Sequence, residues 1–139
     1  MKILLDTNVI LDKILKRWDE EKMKHISDIF HKIENWNYIW CISIITISTL
    51  CYFLQKSKLD DNIINNLFWY LDYYFEIWNN NNKNIIMDMI NSNFEDYEDA
   101  MQYLIALQNW CDIIITNNKK DFTKATNIHI YTIQEFQSL

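Results

Sequence analysis

Apolar residues along this chain come in short blocks whose spacing switches between the period of a strand and that of a helix. Residues 2–5 (KILL) are an apolar run too short for a helix and suited to a buried strand. Over 8–17, Val9, Ile10, Ile14 and Leu15 recur at helical spacing. Over 19–35, Met23, Ile26, Ile29, Phe30 and Ile33 share one face and charged residues the other, which predicts an amphipathic helix. Residues 38–42 (YIWCI) predict a second strand, and Ser43 can cap a helix running to about Gln55. The stretch KSKLDD leads into an aromatic-rich helix predicted over 62–78. Four Asn at 79–82 form a loop, and 85–89 (IIMDM) read as a third strand. A helix over 96–109, with Ala100, Leu104 and Leu107 inward, precedes strands at 112–116 (DIIIT) and 127–131 (NIHIY) and a short helix at 133–137.

Strands thus alternate with helices from one end to the other, with no linker or internal repeat. The pattern predicts a single domain over 1–139 of the α/β class, three layers deep (α/β/α) around a mainly parallel sheet. Ligands of such sheets gather beyond the carboxyl ends of the strands. Asp6, directly after the first strand, falls on that edge.

Composition narrows the classes. Half of the 139 residues are hydrophobic, which excludes a disordered chain. No apolar run nears the ~18 residues of a membrane span, and no signal-peptide pattern opens the chain, so a cytoplasmic location with no membrane partner is expected. Cys41, Cys51 and Cys111 show no CxxC spacing and read as buried free thiols. Gly and Pro are both absent, while Asn, Lys and Ile abound, as A/T-rich codons would give. A lone Asn or Lys therefore carries little functional information, and turns needing positive φ are expected to fall on Asn. The net charge of −6 is uneven: residues 1–58 hold nine Lys and Arg against seven Asp and Glu, residues 59–139 four against twelve. Such a chain has no general electrostatic hold on nucleic acid. Acting on one would take a metal ion and local Lys clusters.

The candidate chemistry lies in carboxylates at strand edges. Thr116 ends the strand DIIIT and is followed by TNNKKDF, with Asn118 and Asp121. Asp96 and Asp99 open a helix three residues apart and share a face. First-turn acids suit the helix dipole, which is explanation enough for one of them. Asp99, however, heads a helix that is apolar on nearly all sides, so it faces a cleft or a partner. His25 and His31 read as surface residues of their helix. No nucleophile elbow, P-loop, GxGxxG or HExxH is present. Oxygen-only ligation favours Mg²⁺ or Mn²⁺, and a carboxylate-held cation can promote attack of water on a phosphate.

LLDTNVILD, ISIITISTLCYFL, DYEDAMQYLIAL and DIIITNNKKDF, in that order and closed by IYTIQEF, together resemble PIN-domain proteins, nearest to the VapC-like toxin branch. The resemblance implies a Mg²⁺- or Mn²⁺-dependent ribonuclease, the toxin of a type II toxin–antitoxin pair, forming a homodimer and silenced by a cognate antitoxin. It implies Asp6 and Asp99 as metal-binding carboxylates. Thr116, Asn118 and Asp121 join them as the catalytic group, Thr7 and Asn8 orient Asp6, and Asp96 and Thr49 support the site. Lys119 and Lys120, with Lys56 and Lys58, are the candidates for RNA phosphate contacts. Two positions depart from the family pattern: Thr49 stands where Glu is usual, and Asn118 where many members have Asp. With fewer carboxylates the cation is held less strongly and the attacking water has a poorer base. The alternative is therefore a PIN-fold module that binds RNA or an antitoxin without cutting. A phosphatase of the haloacid-dehalogenase type would need a second Asp two residues after Asp6, where Asn8 stands. The aromatic helix 62–78 is expected to form a dimer or antitoxin surface.

Overall fold

The computed structural model describes residues 1–139. Five strands, β1 (Lys2–Leu5), β2 (Ile39–Ser43), β3 (Glu76–Trp78), β4 (Ile113–Ile115) and β5 (His129–Tyr131), form one sheet in the order β3-β2-β1-β4-β5. Every pairing is parallel. Seven helices connect them: α1 (Thr7–Leu15), α2 (Glu20–Glu34), α3 (Ile44–Lys56), α4 (Asp61–Tyr74), α5 (Ile85–Asn91), α6 (Tyr97–Gln108) and α7 (Ile133–Gln137). A 3₁₀ turn covers Lys119–Phe122.

The three layers follow from the period of two along each strand. Ile3, Leu5, Trp40, Ile42, Ile113 and Ile115 point to one face and pack with Ile10, Ile29, Leu50, Leu71 and Phe136 from α1, α2, α3, α4 and α7. Leu4, Cys41 and Ile114 point to the other and meet Ala100, Tyr103 and Ala106 of α6 with Trp78, Phe94 and Phe122. A strand buried on both faces needs a continuous apolar run, which explains why KILL and III carry no polar alternation. Ser43 caps α3 as its position predicts, accepting from the Thr46 amide at 3.1 Å.

Two elements differ from expectation. The helix predicted over 62–78 stops at Tyr74; Phe75 turns extended (φ −121°, ψ 142°) and Glu76–Trp78 becomes β3 at the sheet edge. An aromatic-rich segment without Gly or Pro hides that boundary. It is set by pairing with β2, where Ile42 lies opposite Ile77 and Ser43 opposite Trp78. The run 85–89 is not a strand but part of α5, a short helix with Ile86, Met87 and Ile90 exposed. A short apolar run is compatible with either period, and only its packing against α6 decides. Cys51 is exposed, unlike buried Cys41 and Cys111, and all three thiols are free. Nor do the positive-φ turns collect on Asn. Of Lys16, Trp36, Asn93 and Trp110, which follow α1, α2, α5 and α6, only one is Asn. Helix ends favour the left-handed conformation strongly enough to impose it on a residue with a Cβ.

The strand order reverses direction at β1. The chain moves from β1 outward to β2 and β3, then returns across the sheet to β4. The β1/β4 boundary is therefore the switch point, where connections depart to opposite sides and leave a crevice at the carboxyl ends. The register pairs Leu5 with Ile115, so Asp6 and Thr116 emerge there side by side.

Candidate active site

Asp6 is the centre of a buried polar network. Its amide continues the sheet by donating to the Ile115 carbonyl at 2.9 Å, and only 1 % of the residue is exposed. Thr116 Oγ1 donates to one carboxylate oxygen at 2.7 Å, and Gln102 Nε2 donates to the other at 3.0 Å. The second amide proton of Gln102 faces Thr7 Oγ1 at 3.3 Å. Thr7 Oγ1 lies 3.0 Å from Thr46 Oγ1 and 3.4 Å from Glu98 Oε1, and its single proton can serve one of them at a time. Ser43 Oγ closes the set 3.2 Å from Thr46 Oγ1. Burial pushes the Asp6 carboxyl up to about 6; the donors Thr116 and Gln102 work against that rise, while the charge of Glu98 adds to it.

Asp99 reaches the same cleft from the first turn of α6. The residue is 7 % exposed, and its carboxylate accepts no hydrogen bond from the chain. Burial first, then the charges of Asp6, Asp96, Asp121 and Glu98, drive it up to about 8. No Lys or Arg offsets either carboxylate. Two buried like charges in one crevice, one of them without a single donor, are costly to ionise unless a positive charge is supplied.

The remaining predicted residues divide. Asp96 is exposed and caps α6, accepting from the amides of Glu98 at 2.7 Å and Asp99 at 3.1 Å, which accounts for it structurally. Asn118 is exposed; its amide donates to Thr116 Oγ1 at 2.9 Å, and its side chain bonds Asp121. Asp121 is half-buried, and its negative charge adds to the rise of the Asp99 carboxyl. Asn8 is exposed, and only its backbone amide acts on Asp6, not its side chain. Thr49 Oγ1 donates to Glu98 Oε1 at 3.0 Å. Lys119 is paired with Glu135 at 3.0 Å. Lys120 borders an open polar cleft of about 300 Å³ together with Asp96, Asp121 and Lys124. Lys56, the last residue of α3, and Lys58, just after it, are exposed.

Two residues were not among the predicted ones. Gln102, 1 % exposed, is a buried amide in an apolar helix, three residues after Asp99 and on its face. That spacing was the available signal. Glu98 looked like one more first-turn acid, and only contacts with α1 and α3 distinguish it. Asp12 is also buried, but Arg17 at 3.0 Å and Asn117 at 2.6 Å satisfy it and tie the loop after β4 to α1.

The donors around the crevice are all oxygen atoms: carboxylates of Asp6, Asp99 and Glu98 and hydroxyls of Thr7, Thr49 and Thr116. That chemistry, with the unpartnered Asp99, fits a hard divalent cation. No three His, Cys, Asp or Glu side chains already converge as a closed ligand set. A cation that keeps several waters does not require one, since Mg²⁺ is commonly held through one or two carboxylates.

Comparison with known proteins agrees with the architecture. Solved structures with the same fold include VapBC2 from Rickettsia felis bound to a promoter DNA fragment (TM-score 0.70, 21% identity, 95% of this chain and 98% of that one). VapBC-1 from nontypeable Haemophilus influenzae is similar (TM-score 0.70, 19% identity, 96% and 99% covered). So is DNA-bound VapBC from Salmonella typhimurium (TM-score 0.69, 23% identity, 96% and 98% covered). No curated protein matches the chain. The family model described as PIN domain matches residues 2–120, most of the chain, and the protein therefore belongs to the PIN domain family.

Proposed function

We propose that this protein is a metal-dependent endoribonuclease of the PIN type and the toxin of a toxin–antitoxin pair. The observation that carries the reading is the pair Asp6 and Asp99. Both are buried at the switch-point crevice, both are raised by burial, and Asp99 has no donor. Family membership and the likeness to VapBC assemblies support the same reading.

Asp6 and Asp99 would hold Mg²⁺ or Mn²⁺. When bound, the cation supplies charge for the phosphate and lowers the pKa of the attacking water. Thr116 and Gln102 fix the Asp6 carboxylate by gripping both its oxygens, so its orientation is set before any ligand arrives. Asp121, whose charge acts on Asp99, would take a proton from the attacking water. Thr116, bonded to both Asp6 and the Asn118 amide, holds the 3₁₀ turn and Asp121 in place. Lys120 and Lys124 on the adjoining cleft offer positive charge to an RNA backbone that the acidic chain otherwise repels. The exposed Tyr52, Phe53, Ile63 and Trp69 of α3 and α4 offer an apolar surface for an antitoxin or a second copy.

The test is cleavage of a mixed pool of structured RNA by purified protein, with Mg²⁺ and with Mn²⁺, beside Asp6→Asn and Asp99→Asn. The expected outcome is cleavage that needs metal and falls by roughly 10²–10⁴-fold in each variant. A folded protein that cuts in neither metal yet still binds RNA or an antitoxin would establish the non-cutting module. Neutral Thr49 and the lack of a closed ligand set favour that second reading.

A further inference from the structure

We propose, resting on the ribonuclease reading above, that Arg17 binds a phosphate of the RNA strand beside the crevice, seated for that task by buried Asp12. Of the thirteen Lys and Arg in the chain, Arg17 is the single Arg. It stands just past the end of α1, next to exposed Lys16. Asp12, 4% exposed, is one of three buried carboxylates, and unlike Asp6 and Asp99 it faces a cation. Asn117 Nδ2 donates to its Oδ2 at 2.6 Å, and Arg17 Nε lies 3.0 Å from its Oδ1. The Asp12 side chain is 6% exposed and that of Arg17 42%, so the pair reaches from the interior to solvent.

An ion pair serving stability alone would be met as well by Lys, which this chain uses at every other basic position. Arg differs in its planar fork. One nitrogen can hold a carboxylate while the terminal two remain for a second anion in a fixed plane. Here Nε is the nitrogen turned to Asp12, which leaves the terminal pair to the exposed part of the guanidinium. The place suits a phosphate. Asn117 directly follows Thr116, the donor to Asp6, and stands two residues before the 3₁₀ turn that begins with Lys119 and Lys120. Through Asp12 and Asn117, Arg17 is thus tied to the loop that leads from the crevice to the Lys120 and Lys124 cleft. In a chain of net charge −6, a preset fork supplies geometry where bulk charge supplies no attraction.

Anisotropy of a fluorescein-labelled single-stranded oligoribonucleotide of mixed sequence, read with Mg²⁺ across a KCl series, tests this. Every protein in the series carries Asp99→Asn so that the strand stays intact. Arg17→Gln is expected to weaken binding roughly three- to tenfold and to lower the slope of log affinity against log salt by about 0.7, the value of one phosphate contact on a single strand. Arg17→Lys keeps the charge and loses the fork, so the slope should stay and the affinity fall by a smaller factor. Asp12→Asn separates the seat from the charge: the added net positive charge alone would tighten binding, whereas loss of the seat should weaken it. Unchanged affinity in Arg17→Gln, beside a loss in Lys120→Gln, would overturn this inference and leave RNA binding standing. Weaker binding in Arg17→Gln with an unchanged slope would also overturn it, since that marks a shifted loop and not a lost phosphate contact. Absence of RNA binding by the Asp99→Asn protein itself would overturn the ribonuclease reading and this inference together.

Discussion

At the carboxyl end of the sheet, polar groups are buried; at the amino end, apolar groups are exposed. All eight buried polar residues of the chain, Asp6, Thr7, Asp12, Ser43, Thr46, Asp99, Gln102 and Thr116, lie at the carboxyl side. At the other end, around the starts of β1, β2 and β3, Met1, Trp36, Tyr38, Ile39, Tyr73 and Tyr74 border an open apolar cavity of about 380 Å³. Trp36 is 59% and Tyr73 67% exposed there, their rings 5.6 Å apart. The amino end is stabilised by aromatic packing, which is insensitive to pH and metal. The carboxyl end carries a polar network whose carboxylates oppose one another, an arrangement that costs stability and is retained where a ligand makes use of it.

The contrast can be broken from either side. The largest effect on stability is expected from Trp40→Ala, which empties the sheet face behind the aromatic cavity. It should cost about 3–5 kcal/mol in denaturant unfolding, while the protein that remains folded keeps its metal affinity. Thr116→Val, nearly isosteric, removes the 2.7 Å donor to Asp6. It should cost about 1–3 kcal/mol and, unlike Trp40→Ala, also weaken Mn²⁺ binding. A Trp40→Ala protein impaired in metal binding to the same extent would mean that the two ends are not separable.

A pH series sharpens the comparison. The folded-state pKa values of Asp6 and Asp99, about 6 and about 8, lie above the ordinary 3.8, so the folded protein binds these protons more tightly than the unfolded chain. The stability they contribute is fully present below about pH 4 and is lost as pH rises through 6 to 8. The melting temperature of metal-free protein should fall over that window, and Mg²⁺ should restore it at pH 8. Asp99→Asn should flatten the fall. A profile unchanged by Asp99→Asn would show that the crevice is not electrostatically strained. The smallest effect belongs to Lys119→Ala. Its exposed ion pair with Glu135 is screened by solvent, so only a slight shift in thermal melting is expected.

Much of this was legible along the chain. Apolar runs at 2–5 and 112–116 and the 3.6-residue pattern over 19–35 specify buried strands and an amphipathic helix through local periodicity alone. Asp6 and Asp99 could be picked out because a carboxylate next to an apolar run needs an explanation. The failures fell where local pattern is ambiguous. The edge strand β3 is three residues inside an aromatic run, and α5 is a short apolar segment that exposes most of its apolar side chains. Both were decided by what they pack against.

The sequence by itself determined the alternation of strand and helix, hence the three-layer parallel sheet, because those periods are local. It also determined that carboxylates stand at strand ends. Only the tertiary structure decided which of them meet. Asp6, Asp99 and Glu98 share a crevice because the chain reverses direction across β1 and lays α6 over the β1/β4 boundary. Thr49 and Gln102 acquire their roles only there, since a hydroxyl or an amide has no assignment until a partner tens of residues away comes within 3 Å or so.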